Sequence, residues 1–255
     1  MKKNLFAASL LCSGLFCSVF SINVQAKILW QGDFETGDLS QWHNILNPRV
    51  VSINSQCSFD GKYAGQVSLS GDEDLLWNGR KDLNRSEFHF TPTTGSTSEG
   101  KDTYFSFSFY LPKALSKGRN ELGYWESDKT WQQMLRFNIS GTDFSFQETA
   151  AAAPAWTLKN GAKPGQWHKV AMHIHWSTDA TKGSTQVWFD GKDMGKQQFK
   201  TLYAADALMF TQMGILRNQQ KNVDVILVDG AMEADNLTEL LERNQDKIGK
   251  KCRSL

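Results

Sequence analysis

Polar and apolar residues alternate along residues 167–176, just after the turn pair Pro164-Gly165. Val170, Met172, Ile174 and Trp176 share one face with His168, while Trp167, Lys169, Ala171, His173 and His175 share the other. A period of two marks a strand with one side against a core. A polar loop leads to a second run, 185–189, closed by Asp190-Gly191, so the two read as a hairpin whose polar face carries two histidines. The alternation recurs at 103–111, where Phe105, Phe107, Phe109 and Leu111 oppose Tyr104, Ser106, Ser108 and Tyr110. At 84–90, Ser86, Phe88 and Phe90 oppose Arg85, Glu87 and His89. At 130–139, Gln133, Leu135, Phe137 and Ile139 oppose Gln132, Met134, Arg136 and Asn138. Shorter strands are expected at 28–30, 50–53, 64–69, 142–149, 208–217 and 223–228, with 113–129 as an irregular loop. Only 236–247 has helical spacing, with Leu237, Leu240 and Leu241 on one side. Many short strands between turn signals, with no repeat, predict an all-β sandwich of two antiparallel sheets.

Composition narrows the function classes. The net charge of +1 over 255 residues offers no field to gather nucleic acid, so an anionic ligand has to be met by local cations. Lys2-Lys3, an apolar run over 5–20 and Val24-Gln25-Ala26 form the pattern of a secretory signal peptide at 1–26. The run is too short and too interrupted for a membrane anchor. One domain is then expected over 27–255, in the periplasm or outside the cell. In an exported chain the default for Cys57 and Cys252 is a disulfide. Nine tryptophans suit a packed core or stacking on sugars; Trp77, Trp125 and Trp131 lie in or beside loops, where stacking is plausible.

Several segments together carry a resemblance: Asp33-Phe-Glu-Thr-Gly-Asp-Leu-Ser-Gln-Trp42, Arg85-Ser-Glu87, Tyr110-Leu-Pro112, Gly165-Gln-Trp-His168, Trp176-Ser177 and Val187-Trp-Phe-Asp-Gly-Lys192. In order and spacing the chain resembles secreted jelly-roll polysaccharide lyases, nearest to the group around heparin lyase I and glucuronan lyase, and more distantly the alginate lyases of family seven. The resemblance implies a concanavalin-like β-jelly roll with a groove on one sheet, and β-elimination at a uronic acid. Alginate lyases use an Arg of an Arg-Ser/Thr-Glu strand, a Gln and a His of a Gln-x-His strand, and a Tyr of a late Gly-x-Tyr strand. Arg85 and Glu87 match the first, and Gln132 or Gln133 the second. The His position holds Met134 or Leu135 and the Tyr position holds Leu216, so the proton-transfer groups would come from elsewhere. Lectin-like sandwiches of this kind often hold a structural calcium, for which Asp33, Glu35 and Asp229 offer oxygens; no other cofactor is implied.

Eliminating a uronate requires a cation on the carboxylate, a base for the C5 proton and an acid for the leaving oxygen at C4. Arg85 is the neutraliser candidate, because a guanidinium is always charged and forks onto a carboxylate. Glu87 would orient it, and His89 shares their face. His173 and His175 are the candidates for proton exchange, since imidazole titrates near neutrality; Tyr104, Tyr110 and Tyr203 are the tyrosines considered. Gln132 or Gln133 would assist. Arg136, Asn138, Arg217 and Trp77 are candidate sugar contacts. The expected partner is an anionic polysaccharide met by a monomer, with neither nucleic acid nor membrane. The rival reading is a non-catalytic carbohydrate-binding sandwich that kept the groove and lost the proton-transfer pair.

Overall fold

The computed structural model describes residues 27–71, 76–77, 80–81 and 84–252, with backbone alone at 76–77 and 80–81. The expected signal peptide and the side chain of Trp77 lie outside the described residues. In chain order the strands are β1 (Ile28–Gly32), β2 (Asn44–Leu46), β3 (Val51–Asn54), β4 (Ala64–Leu69), β5 (Leu76–Trp77), β6 (Arg80–Lys81), β7 (Asn84–Phe90), β8 (Asp102–Tyr110) and β9 (Asn120–Ser127). They continue as β10 (Gln133–Ser140), β11 (Asp143–Glu148), β12 (Trp156–Leu158), β13 (Trp167–His175), β14 (Ser184–Phe189), β15 (Lys192–Gln198), β16 (Met209–Arg217) and β17 (Asp224–Ala234), followed by helix α1 (Leu237–Glu242).

Two antiparallel sheets result. The first runs β15-β14-β13-β8-β17-β4-β3, with β1 also on β17; the second runs β12-β11-β10-β9-β16-β7-β2. Alternation sets which side chains meet between them. Phe105, Phe107 and Phe109 of the first sheet bury against Phe88, Phe137 and Phe144 of the second, and the Phe107 and Phe137 rings stand 5.9 Å apart edge to face. Each such ring removed from water contributes roughly 1.5–3 kcal/mol. The outer side of the first sheet is then closed over. Asn236 caps α1 by accepting the Thr238 N–H at 3.1 Å, and Leu240 packs on Ala171, Met232 and Ala234. The tail bonds back to β13 through Gly249 N–H to Trp167 O (2.8 Å), and the Cys57–Cys252 disulfide joins residues 195 apart.

Two segments depart from the expected pattern. Residues 120–127 form β9 rather than a loop; all eight are buried, so no alternation marks the strand. The helix is shorter than 236–247, giving way to a 3-10 turn at Gln245–Lys247.

Arg217 is not a sugar contact. Its guanidinium is buried, pairs with Asp224, and donates to Asn84 Oδ1 (2.6 Å), Leu69 O (3.0 Å) and Asn222 O (2.8 Å). It is a clamp between β16, β4 and β17, with its donors committed to the protein. Among the described residues no helix is long and apolar enough to cross a membrane.

Candidate functional site

On the second sheet Phe88 and Phe90 enter the core, so Arg85, Glu87 and His89 of β7 point outward. Cross-strand pairing extends this face. His89 stands opposite Gln212 of β16, Gln212 opposite Tyr124 of β9, and Tyr124 opposite Arg136 of β10. A flanking row holds Arg85, Leu216, Glu121 and Asn138. Another holds Phe210, Glu126 and Gln133. The register slips between Gln133 and Leu135, a bulge that takes in Met134 and turns Gln133 to the outer face, where its Nε2 donates to Glu121 at 2.7 Å. Gln132 precedes the strand, exposed, so the expectation that Gln132 shares the face of Arg136 is reversed in favour of Gln133. Gly214 lies between these rows at φ +152°; a Cβ there would come within 2.2 Å of Ser86 O, so only glycine lets β16 approach β7 beneath Glu87.

This outer face is recessed rather than open. Glu87, Tyr124 and Gln212 are each 1% exposed. A cavity of ≈ 260 Å³ is lined by Leu46, Arg85, His89, Glu126, Trp131 and Gln212. Trp131, 58% exposed and with φ +58°, stands at its rim with its ring edge-on to Phe210 at 5.8 Å. Burial shapes the charges. Loss of solvent pushes the Glu87 carboxyl up to about 8, opposed by Arg85 and by a hydrogen bond from Tyr124 and helped by Glu121 and Glu126. The Arg85 guanidinium lies 3.7 Å from that carboxyl. Burial, with Arg85 second, lowers His89 to about 4, which keeps its imidazole neutral at pH 7. The Tyr124 phenol is raised well above its usual value by burial and by Glu87 and Glu126, so it holds its proton. His89 Nε2, Arg136 Nε and Asn138 Oδ1 are buried with no hydrogen-bond partner. Each such group costs about 1–3 kcal/mol unless something pairs with it, and three on one face describe a surface prepared for a polar ligand.

The family described as polysaccharide lyase matches residues 34–232. The chain belongs to that polysaccharide lyase family. Among curated proteins none matches it. Solved structures share the fold. The alginate lyase vAL-1 from Chlorella virus is 13% identical, with 81% of this chain and 99% of that one covered at a TM-score of 0.55. The cellulose induced protein Cip1 is 16% identical, covering 82% and 98% at 0.57. The catalytic domain of a family 131 glycoside hydrolase from Coprinopsis cinerea is 11% identical, covering 82% and 95% at 0.54. The fold of this polysaccharide lyase family member is thus the jelly-roll sandwich.

The remaining sequence candidates fall elsewhere in the lyase fold. His173 and His175 alternate with the core residues Val170, Met172 and Ile174, so they point outward from the first sheet, on the opposite side of the sandwich from Arg85. There both imidazoles meet Asp102 Oδ1, at 2.7 and 2.9 Å, and Tyr104 stacks on His173 with centroids 4.7 Å apart. They do not share a site with Arg85. Tyr110 packs on Trp167, and Trp125 is core. The three acidic residues are each bound by donors of the protein. Asp33 accepts from Gln41 Nε2 (2.7 Å), Glu35 from the Tyr63 N–H (2.8 Å), and buried Asp229 from the Phe59 N–H (2.7 Å). Among the described residues no three His, Cys, Asp or Glu gather as metal ligands. Tyr124, Glu126, Glu121 and Gln212 were not among the sequence candidates. The first three lie on the strand that carries no alternation signal; Gln212 was recognisable as an outward residue of 208–217 once the sheet pairing is known.

Proposed function

We propose that this polysaccharide lyase family member cleaves a uronate-containing glycan by β-elimination, outside the cytoplasm, with Arg85, His89 and Tyr124 as its working groups. The observation that carries this reading is the row His89–Gln212–Tyr124–Arg136 beside Arg85 on one recessed face. Arg85 forks onto the sugar carboxylate and favours the enolate form as charge moves onto it; a preorganised donor of this kind is worth about 10²–10³ in rate. Glu87, protonated near neutrality, orients Arg85 without adding a competing negative charge. The neutral imidazole of His89 takes the C5 proton. The C5 electron pair becomes the C4=C5 double bond as the C4–O bond breaks, and the Tyr124 phenol gives its proton to the leaving oxygen. Later proton exchange restores both groups, and no water is consumed. Trp131 at the rim offers an indole face to a neighbouring sugar ring. The Cys57–Cys252 disulfide suits an oxidising compartment.

The test is ultraviolet absorbance of unsaturated ends on alginate, glucuronan, heparin and hyaluronan. At least one substrate should yield them, and His89→Ala and Tyr124→Phe should each lower the rate by about 10²-fold or more. Saturated reducing ends would mean hydrolysis, and binding with no product on any glycan would mean a lectin; either outcome overturns the elimination reading.

A further inference from the structure

A carboxyl without a partner lies away from the recessed face, between the sheets. β17 slips register against β8 between Asp229 and Met232, and the extra residue inverts the parity of the strand. Val228 and Ala231 both enter the core, Met232 and Ala234 turn outward beneath Leu240, and Glu233 between them turns inward. A regular strand would have left this carboxylate on the outer side. Instead it stands opposite Trp30 of β1 and Phe105 of β8, 6% exposed. Among the described residues no hydrogen bond or ion pair reaches it; burial alone acts on the carboxyl and raises it to about 7. A cavity of ≈ 500 Å³, within the ~300–1,000 Å³ range of small-ligand sites, is lined by Glu233 together with Trp30, Phe90, His43, Ser96 and Lys27. It shares no lining residue with the cavity at Arg85. Its wall is a pile of rings: Trp30 lies on Phe90 with centroids 3.9 Å apart, and His43 stacks on Phe90 at 5.6 Å. His43 Nδ1 accepts the Thr91 N–H at 2.8 Å, so a neutral ring carries its proton on Nε2. Ser96 Oγ is buried with no hydrogen-bond partner.

We infer that Glu233 and the Trp30–Phe90 wall form a second carbohydrate site, separate from the groove, which takes an uncharged sugar ring. A pyranose has a face of C–H groups and a rim of hydroxyls. The rings of the wall suit the face. The Glu233 carboxyl accepts from neighbouring hydroxyls, the pairing that the protein itself withholds from it. His43 Nε2–H and the Ser96 hydroxyl add polar groups at the margin. Charge selects among sugars. A uronate would bring a second carboxylate into a poorly solvated space beside Glu233, so the acidic sugars proposed for the groove are disfavoured here. Lys27 is exposed at the rim, its backbone N–H bonded to Asp235 at 2.9 Å. A ligand ammonium would share that rim with the Lys27 charge, which favours hydroxyls over amines. The occupant of this site does not depend on the chemistry at Arg85.

Titration calorimetry on the folded protein tests it, with cellobiose, mannobiose and galactobiose as neutral probes, diglucuronate as the acidic probe and glucosamine as the amine. At least one neutral disaccharide should bind. Glu233→Leu should weaken that binding about tenfold or more while the melting temperature holds or rises, because the change removes a buried carboxyl that nothing in the protein pairs. Glu233→Gln keeps an acceptor oxygen and should lose less. The site is overturned if no neutral probe binds, or if the affinity is indifferent to Glu233→Leu. Glu233-dependent binding of glucosamine alone, or of diglucuronate as tightly as any neutral probe, overturns it too. Unsaturated ends made by the wild type are a separate readout: their absence ends the lyase reading and leaves these titrations to decide the second site.

Discussion

The outer faces of the two sheets begin from the same alternation of side chains and are finished in opposite ways. On the first sheet α1 lays Leu240 on Ala171, Met232 and Ala234, and the disulfide-tied tail packs Ile248 and Cys252 beside Phe59 and Trp167. That face is sealed where it is apolar, and its exposed histidines are paired: His173 and His175 both reach Asp102. Among the described residues no helix packs on the second sheet. Its outer side chains are as buried as a core, yet they are Glu87, Tyr124, Gln212, Arg136 and His89, several with unmatched polar atoms. Stability explains the first face. It does not explain the second, where the protein accepts a cost that a ligand would offset.

Four experiments sharpen that contrast, in order of expected size. Arg85→Ala should lower any lyase rate by about 10²–10³-fold with little change in melting temperature, because the residue faces the recess rather than the core; an unchanged rate would remove the neutraliser from the scheme. Replacing Cys57 and Cys252 together by Ser should destabilise the fold by about 2–5 kcal/mol in denaturant titrations while leaving kcat of the folded protein alone. The third concerns pH. Glu87 binds its proton more tightly folded than unfolded, so its contribution to stability is fully present below the unfolded value near 4.5 and is lost as pH rises toward about 8. Glu87→Gln should flatten stability against pH over that window, and should also remove the alkaline fall in kcat/KM expected where an ionised Glu87 competes with substrate for Arg85. The acid limb should sit near 4, where His89 takes up a proton, and persist in this variant. Smallest of all, Ala at His173 or His175 should leave kcat/KM within twofold of wild type; a large loss would show that the sealed face takes part after all.

The strands bearing Phe105, Phe88 and Met172 were legible because one of their sides meets the core and the other carries small or polar residues, which imprints period two. The outward direction of Arg85, Glu87 and His89 followed from the same rule. β9 was not legible, since Leu122 and Trp125 pack inward while Glu121, Tyr124 and Glu126 are buried in the recess. With it went Tyr124 of the recess, while the sequence offered Tyr104, Tyr110 and Tyr203 as candidates. His173 and His175 had the right chemistry and a correctly assigned face, but alternation does not say which of two sheets a strand joins. Gln133 was assigned to the inner side because a one-residue bulge at Met134 inverts the parity and leaves no mark in composition.

The amino-acid order alone was enough for the all-β sandwich, the paired cysteines and the outward cation at Arg85, because these depend on local periodicity and on residue chemistry. Which imidazole and which phenol stand beside that cation depended on strand order, β10-β9-β16-β7, and on registers between residues up to about 130 positions apart. Backbone pairing across a sheet is the same for every side chain, so those neighbours are chosen by the packing of the whole core and by nothing in the strands themselves.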